Sequence, residues 1–220
     1  MKCYLHYGLS FREVAELLYD LSQLKISHSA IAGWFRRFVK QVYKFQRGLK
    51  LPISGRWHLD ETFVKLRGQW HYVFAVLSDW RRTLLTLRIM PRRTRRAAME
   101  VLNELKKHIK MEPHTIVTDG LASYVQAIIQ RFPRTYHQRD VKFRDHPSNN
   151  VIERFFSTFK PRYHGLRGFK SLSRAQEFLD AWGFYYNFLR PHQNSHGNPP
   201  AGSYWGNQLN DWAHVLTYQP

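Results

Sequence analysis

Cysteine is nearly missing from this 220-residue chain, which has only Cys3. A single thiol excludes an internal disulfide, cannot make a metal-binding finger, and fits a reducing cytosol. Acidic residues are also scarce: 16 Asp and Glu stand against 34 Lys and Arg. Long apolar runs are absent, and none approaches the roughly 18 residues of a membrane-spanning helix. The opening decapeptide MKCYLHYGLS lacks the apolar core of an export signal. There is no internal repeat and no low-complexity segment. A soluble, cytoplasmic protein with no membrane partner is expected.

What the chain does have is bulk and positive charge. Hydrophobic residues make up 43% and aromatics 15%, enough for a proper core in one domain plus a small appendage. The formal charge of +18 points to a polyanionic partner, with nucleic acid the first guess. A generic basic protein or a membrane-surface binder is the plainer reading of the same number.

Residues 1–46 read as helical. Ser10 suits the cap of a helix from Phe11, with Glu13 completing a capping box and Phe11, Val14, Leu17 and Leu18 forming an apolar stripe. After the link LSQLKI, Ser27 caps a second helix with Ile31, Trp34, Phe35 and Phe38 on one side. His28, Arg36, Arg37 and Lys40 lie on the other. Two short helices with a basic second member suit a DNA-binding helix-turn-helix, or simply a small helical hairpin. Residues 47–55 form a linker rich in Gly, Pro and Lys.

The pattern then turns to β. Strands are expected at Trp57–Leu66, Trp70–Leu77 and Thr83–Met90, an antiparallel meander. A helix at Arg95–Lys110, a short strand within Thr115–Gly120 and a helix at Ala122–Arg131 follow. A weak strand is expected within Tyr136–Phe143. Two more helices are expected, one within Ser148–Lys160 and one over Ser173–Leu189. The order predicts an α/β mixed sheet with flanking helices over 56–192, then an irregular tail at 193–220.

Three acids stand out on this frame. Asp60 lies mid-strand, Asp119 closes the fourth strand, and Glu153 sits early on a late helix. If strands one and four are neighbours, all three converge. Carboxylates about 4 Å apart repel by roughly 1–4 kcal/mol per pair, so such a cluster needs protons or cations. Oxygen ligands in that number suit two Mg²⁺ or Mn²⁺ ions acting on phosphate. Each acid also has an ordinary reading: Glu61 competes with Asp60, Asp119-Gly120 suits a strand-end turn, and Glu153 suits a helix N-terminus. Lys160 follows Glu153 by about two turns, on the same stripe; it is a phosphate contact or a solvated lysine. Arg81, Arg82, Arg88, Arg92, Arg93, Arg95 and Arg96 form a run with no acid inside it, a phosphate track or a solvated face. His192 and His196 are spaced like ligands but sit among loop residues, and zinc is not expected there.

These residues carry a resemblance over nearly the whole chain. YLHYGLSFREVAELL, WHLDETFVKLRGQWHYVFAVLSD, TIVTDGLASY and NNVIERFFSTFK with GFKS resemble the DDE transposases and integrases. The nearest likeness is to the short insertion-sequence transposases of the family numbered six. YYNFLRPH is similar to a stretch common among integrase-core transposases. The resemblance implies a ribonuclease-H-like fold behind a helix-turn-helix, with Asp60, Asp119 and Glu153 as catalytic metal ligands and Lys160 as the downstream basic residue. It further implies Mg²⁺-dependent cleavage at terminal inverted repeats and strand transfer of 3′-hydroxyl ends into target DNA. A homodimer or larger assembly would handle the two ends. The rivals are a helix-turn-helix regulator with a non-catalytic α/β domain and an integrase-core nuclease without strand transfer.

Overall fold

The computed structural model describes residues 1–46, 51, 53–109, 111–139, 149–165, 169, 171–193 and 197–202. Parts of the expected linker and tail, the continuation of the strand expected at Tyr136–Phe143, His196 and Ser148 lie outside the described residues. The chain divides into two compact units, Leu51–Ser157 and Met1–Lys50 with Thr158–Pro220.

The sheet lies in the first of these. Strands β1 (Arg56–Leu66), β2 (Gln69–Ser78) and β3 (Leu84–Met90) form the expected meander, and β4 (Thr115–Val117) and β5 (Tyr136–Gln138) extend it. The spatial order is β3-β2-β1-β4-β5. The meander pairs are antiparallel, whereas β4 pairs with β1 and β5 with β4 in parallel. The tight β1–β2 turn places Arg67 and Gly68 at positive φ. Gly adopts that region without steric cost, and Arg67 gives the turn its non-glycine half.

Helices α4 (Arg95–His108) and α5 (Ala122–Arg131) cover one face. Trp57, Leu59, Phe74 and Val76 from the sheet share a buried cluster with Ala98, Val101, Leu102 and Leu105 of α4 and Tyr124, Ala127 and Ile128 of α5. The apolar positions recur every three or four residues in α4, so one stripe is buried and the charged residues remain outside. Thr94 caps α4 by accepting a hydrogen bond from the Ala97 N–H at 3.3 Å.

The other unit contains α1 (Lys2–Leu5), α2 (Phe11–Ser22), α3 (His28–Gln46) and α7 (Leu172–Phe184). The capping box at Ser10 is present, with Glu13 N–H 3.2 Å from Ser10 Oγ and Ser10 N–H 2.6 Å from Glu13 Oε2. Ser27 Oγ likewise accepts from the Ala30 N–H at 3.1 Å. On α3 the buried stripe is Ile31, Phe35, Phe38, Val39 and Val42, while Trp34 is 40% exposed. The expected apolar side was therefore drawn one position too wide. The stripe advances with α3's packing against α7, where Phe38 meets Phe184 edge-on and the Tyr43 hydroxyl donates to Asp180. The helix expected over Ser173–Leu189 starts at Leu172 behind its cap, Ser171. Its last turn, Tyr185–Leu189, is π-helical.

Helix α6 (Asn150–Gly165) crosses the boundary between the units along the chain. Ile152, Phe155, Phe156 and Phe159 are buried, and Glu153, Arg154, Ser157 and Lys160 lie on the outer side. The residues over 158–192, assigned to the catalytic core from sequence, group by their contacts with the N-terminal helices. Phe178 of α7, for example, packs edge-on against Tyr4 of α1. No helix among the described residues is long and apolar enough to cross a membrane.

Candidate active site

The parallel register of β1 and β4 sets the site. Arg56 pairs with Thr115, Trp57 with Ile116 and His58 with Val117. Carried two residues further, the same register sets Asp60 level with Asp119. Asp119 lies just beyond the end of β4, where Gly120 at φ +87° turns the chain toward α5. The Asp119 carboxylate accepts the Leu121 N–H at 3.1 Å, and the Gly120 N–H donates to Thr118 Oγ1 at 3.2 Å. The turn after β4 thus holds the Asp119 carboxylate in place.

Asp60 is half-buried and accepts the Glu61 N–H on Oδ1 at 2.8 Å. Burial pushes its carboxyl up to about 7, the charges of Asp119 and Glu153 add to the rise, and the Glu61 N–H and Arg93 oppose it. Glu153 is exposed in the first turn of α6, so it also complements the helix dipole. Its charge reaches Asp60 from there. The charges of Asp119 and Glu153 thus both bear on Asp60.

Glu61 belongs to this neighbourhood but to the opposite side of the strand. In β1 the side chains alternate, and Asp60 pairs with Ala75 while Glu61 pairs with Phe74. The Glu61 side chain is only 4% exposed and forms an ion pair with Arg93. Burial raises Glu61 to about 7, with Asp60 adding and Arg93 opposing. Arg93 Nη2 also lies 3.4 Å from Asp119 Oδ2.

Carboxylate oxygens are hard donors that fit Mg²⁺ or Mn²⁺, and a cation at Asp60 would offset the burial that raises its proton affinity. Among the described residues no three His, Cys, Asp or Glu side chains already stand at metal-ligand spacing. The acids are in electrostatic reach of one another, and a guanidinium is the cation between them.

Residues 54–192 match a family model described as a DDE domain, DDE_Tnp_IS240. The chain belongs to the DDE transposases of insertion sequences. The transposase is 24% identical over 181 residues to the transposase for insertion sequence-like element IS431mec of Staphylococcus aureus strain Mu50, covering 81% of this chain and 80% of that protein. It is equally similar to the S. aureus transposase for insertion sequence element IS257 in transposon Tn4003, with the same identity and coverage. Its fold is similar to a chain of the simian T-cell lymphotropic virus intasome in complex with PP2A regulatory subunit B56 gamma. There the TM-score is 0.55 and the identity 15%, over 73% of this chain and 55% of that one. The mixed five-stranded sheet with flanking helices is ribonuclease-H-like. The regulator reading is set aside.

The remaining sequence candidates are distributed over the transposase. His28, Arg36, Arg37 and Lys40 are exposed on α3. Arg92, Arg95 and Arg96 are exposed at the start of α4, with no acidic partner among the described residues. The arginine run is less uncompensated in space than in sequence. Arg88 pairs with Glu104 at 3.0 Å, and Arg93 pairs with Glu61 and Asp119. The Glu61–Arg93 pair is the feature that sequence reasoning missed. Strand alternation separates Glu61 from Asp60, but no local signal names its partner.

The raised carboxyls give a testable pH dependence. A group whose folded pKa lies above its unfolded value keeps its proton in the folded state while the unfolded chain releases it. Stability is then fully present below about 4 and lost as pH rises through about 7, for Asp60 and Glu61 alike. Asp79 and Glu104, whose carboxyls are held down by His58 and Lys107, act at lower pH and outside this window. The Tm of metal-free protein should fall between pH 5 and 7.5, and Asp60→Asn should flatten the fall. An equal slope in the variant would remove Asp60 as its source.

Proposed function

We propose that Asp60, Asp119 and Glu153 hold two divalent ions, Mg²⁺ or Mn²⁺, and that the transposase cuts at the terminal inverted repeats of its element and joins the ends to target DNA. What supports this reading is the parallel β1–β4 pairing, whose register, carried two residues past its last pair, sets Asp60 level with Asp119, with the charges of Asp119 and Glu153 raising the proton affinity of Asp60. Bound there, paired ions would activate a nucleophile on one side of a phosphorus and stabilise the leaving oxygen on the other. The chain's own groups supply the ligand charge and the geometry. In the first step water attacks the phosphodiester, the bond to the 3′-oxygen breaks and a 3′-hydroxyl is freed. In the second, that hydroxyl attacks a target phosphodiester and displaces a target 3′-oxygen. No bond to the protein forms in either step.

Arg92, Arg95 and Arg96 support a phosphate contact beside the site. Basic residues at a helix N-terminus are disfavoured by the dipole, and a bound anion would satisfy both the arginines and the free N–H groups. Lys160, exposed on α6, is a further phosphate contact in this reading. The exposed face of α3 would read the repeats in the cytoplasm, and a dimer or larger assembly would hold two ends.

The deciding experiment is strand transfer with Mg²⁺ on DNA carrying the element's own terminal repeats. Joined products support the proposal; cutting without joining would reduce it to a nuclease. For α3, Arg36→Ala with Arg37→Ala should weaken end binding and lower the slope of log affinity against log salt by about 2, one for each phosphate no longer neutralised. Unchanged binding and slope in a gel-shift series would remove both residues from the interface.

A further inference from the structure

Arg93 has no part in that chemistry, yet it touches two of the acids around it. Its two contacts are unequal. The Glu61 side chain is 4% exposed, and its Oε2 has no hydrogen-bond partner among the described residues. The Asp119 side chain is 41% exposed and lies 3.4 Å from Nη2. Breaking a buried ion pair strands a charge away from water, whereas an exposed pair at that distance is worth little. One contact is an anchor and the other is releasable.

We infer that Arg93 is a built-in counterion for the metal-free site, fixed to Glu61 and exchanging its hold on Asp119 for DNA phosphate when divalent metal binds. The inference rests on the reading of Asp119 as a metal ligand. A divalent ion at Asp119 replaces one unit of positive charge by two and repels the guanidinium a few ångströms away. The guanidinium remains tethered at the edge of the site by Glu61. It carries five donors in a planar fork that matches phosphate oxygens. Strand alternation turns Glu61 to the face opposite Asp60, where its ion pair with Arg93 holds it. Arg93 thereby couples metal binding to DNA binding: metal alone must displace it, whereas metal with DNA offers it a new partner.

The test measures Mn²⁺ binding to DNA-free protein from the free-ion electron paramagnetic resonance signal. Arg93→Ala should bind Mn²⁺ about five- to tenfold more tightly than wild type, the lower range of site-to-site coupling. Equal or weaker binding overturns the inference. Because Arg93→Ala leaves Glu61 buried without its partner, the double variant Glu61→Gln with Arg93→Leu removes both charges and should show the same gain. Asp60-dependent binding of equal strength in wild type and both Arg93 variants sinks this inference alone. Absence of any Asp60-dependent Mn²⁺ binding sinks the metal-site reading beneath it.

Discussion

Asp60→Asn, Asp119→Asn and Glu153→Gln are each expected to cut strand transfer at least about a thousandfold, roughly 4 kcal/mol of transition-state stabilisation. All three changes keep the side chain's size and remove its charge, so the fold should survive. Asp60→Asn should even stabilise the metal-free protein near neutral pH, since it deletes a carboxylate whose ionised form is disfavoured by burial. Loss of activity with a raised or unchanged Tm is the signature of a ligand rather than a packing residue. Glu61→Gln provides the contrast beside it. It removes an acid of similar proton affinity that faces Arg93 on the other side of β1, and its effect should be far smaller. A residual rate within tenfold of wild type for Asp60→Asn, or a greater loss for Glu61→Gln, would reassign the ligand to Glu61.

The second large effect is on stability. Trp57→Ala should cost about 3–5 kcal/mol, the range for emptying a large aromatic position in a core. Trp57 is 1% exposed, packs edge-on against Phe132 at 5.7 Å, and donates its indole N–H to the Ser54 carbonyl at 2.8 Å. The substitution opens a cavity and also orphans that carbonyl. Against an ordinary stability of about 5–15 kcal/mol, the loss would leave many chains near unfolding. Trp57 belongs to the β1–β4 register three positions before Asp60, so metal affinity should weaken with it. Chemical denaturation is the measurement, and a loss below about 1 kcal/mol would show that the cluster repacks around the gap.

The sequence makes local features legible because they are decided by near neighbours. The Ser10 capping box, the strands β1 and β2, the turn at Arg67-Gly68 and the helix from Ala122 to Arg131 were all readable on that basis. The acids were readable conditionally: each has an ordinary explanation, and only the adjacency of β1 and β4 joins Asp60 to Asp119. What stayed hidden depends on partners distant in sequence. Trp34 sits at helical spacing from Ile31, yet the buried stripe of α3 is chosen by α1, α2 and α7 together. Arg93 reads as one more arginine in a basic run until the fold sets Glu61 and Asp119 beside it.

The parallel pairing of β1 with β4 also bears on when activity can arise. The β1–β2–β3 meander closes through short turns and can form early. Parallel pairing must wait for the β3–α4 segment to be threaded and for a long loop to close, and such non-local contacts form late. The register that would set Asp60 level with Asp119 therefore depends on a long-range closure, and Glu153 comes from a helix still further along the chain. On the proposed reading, a chain that lacks this pairing has the acids but not the centre, so the order of strands ties the capacity to act on DNA to a long-range closure of the sheet.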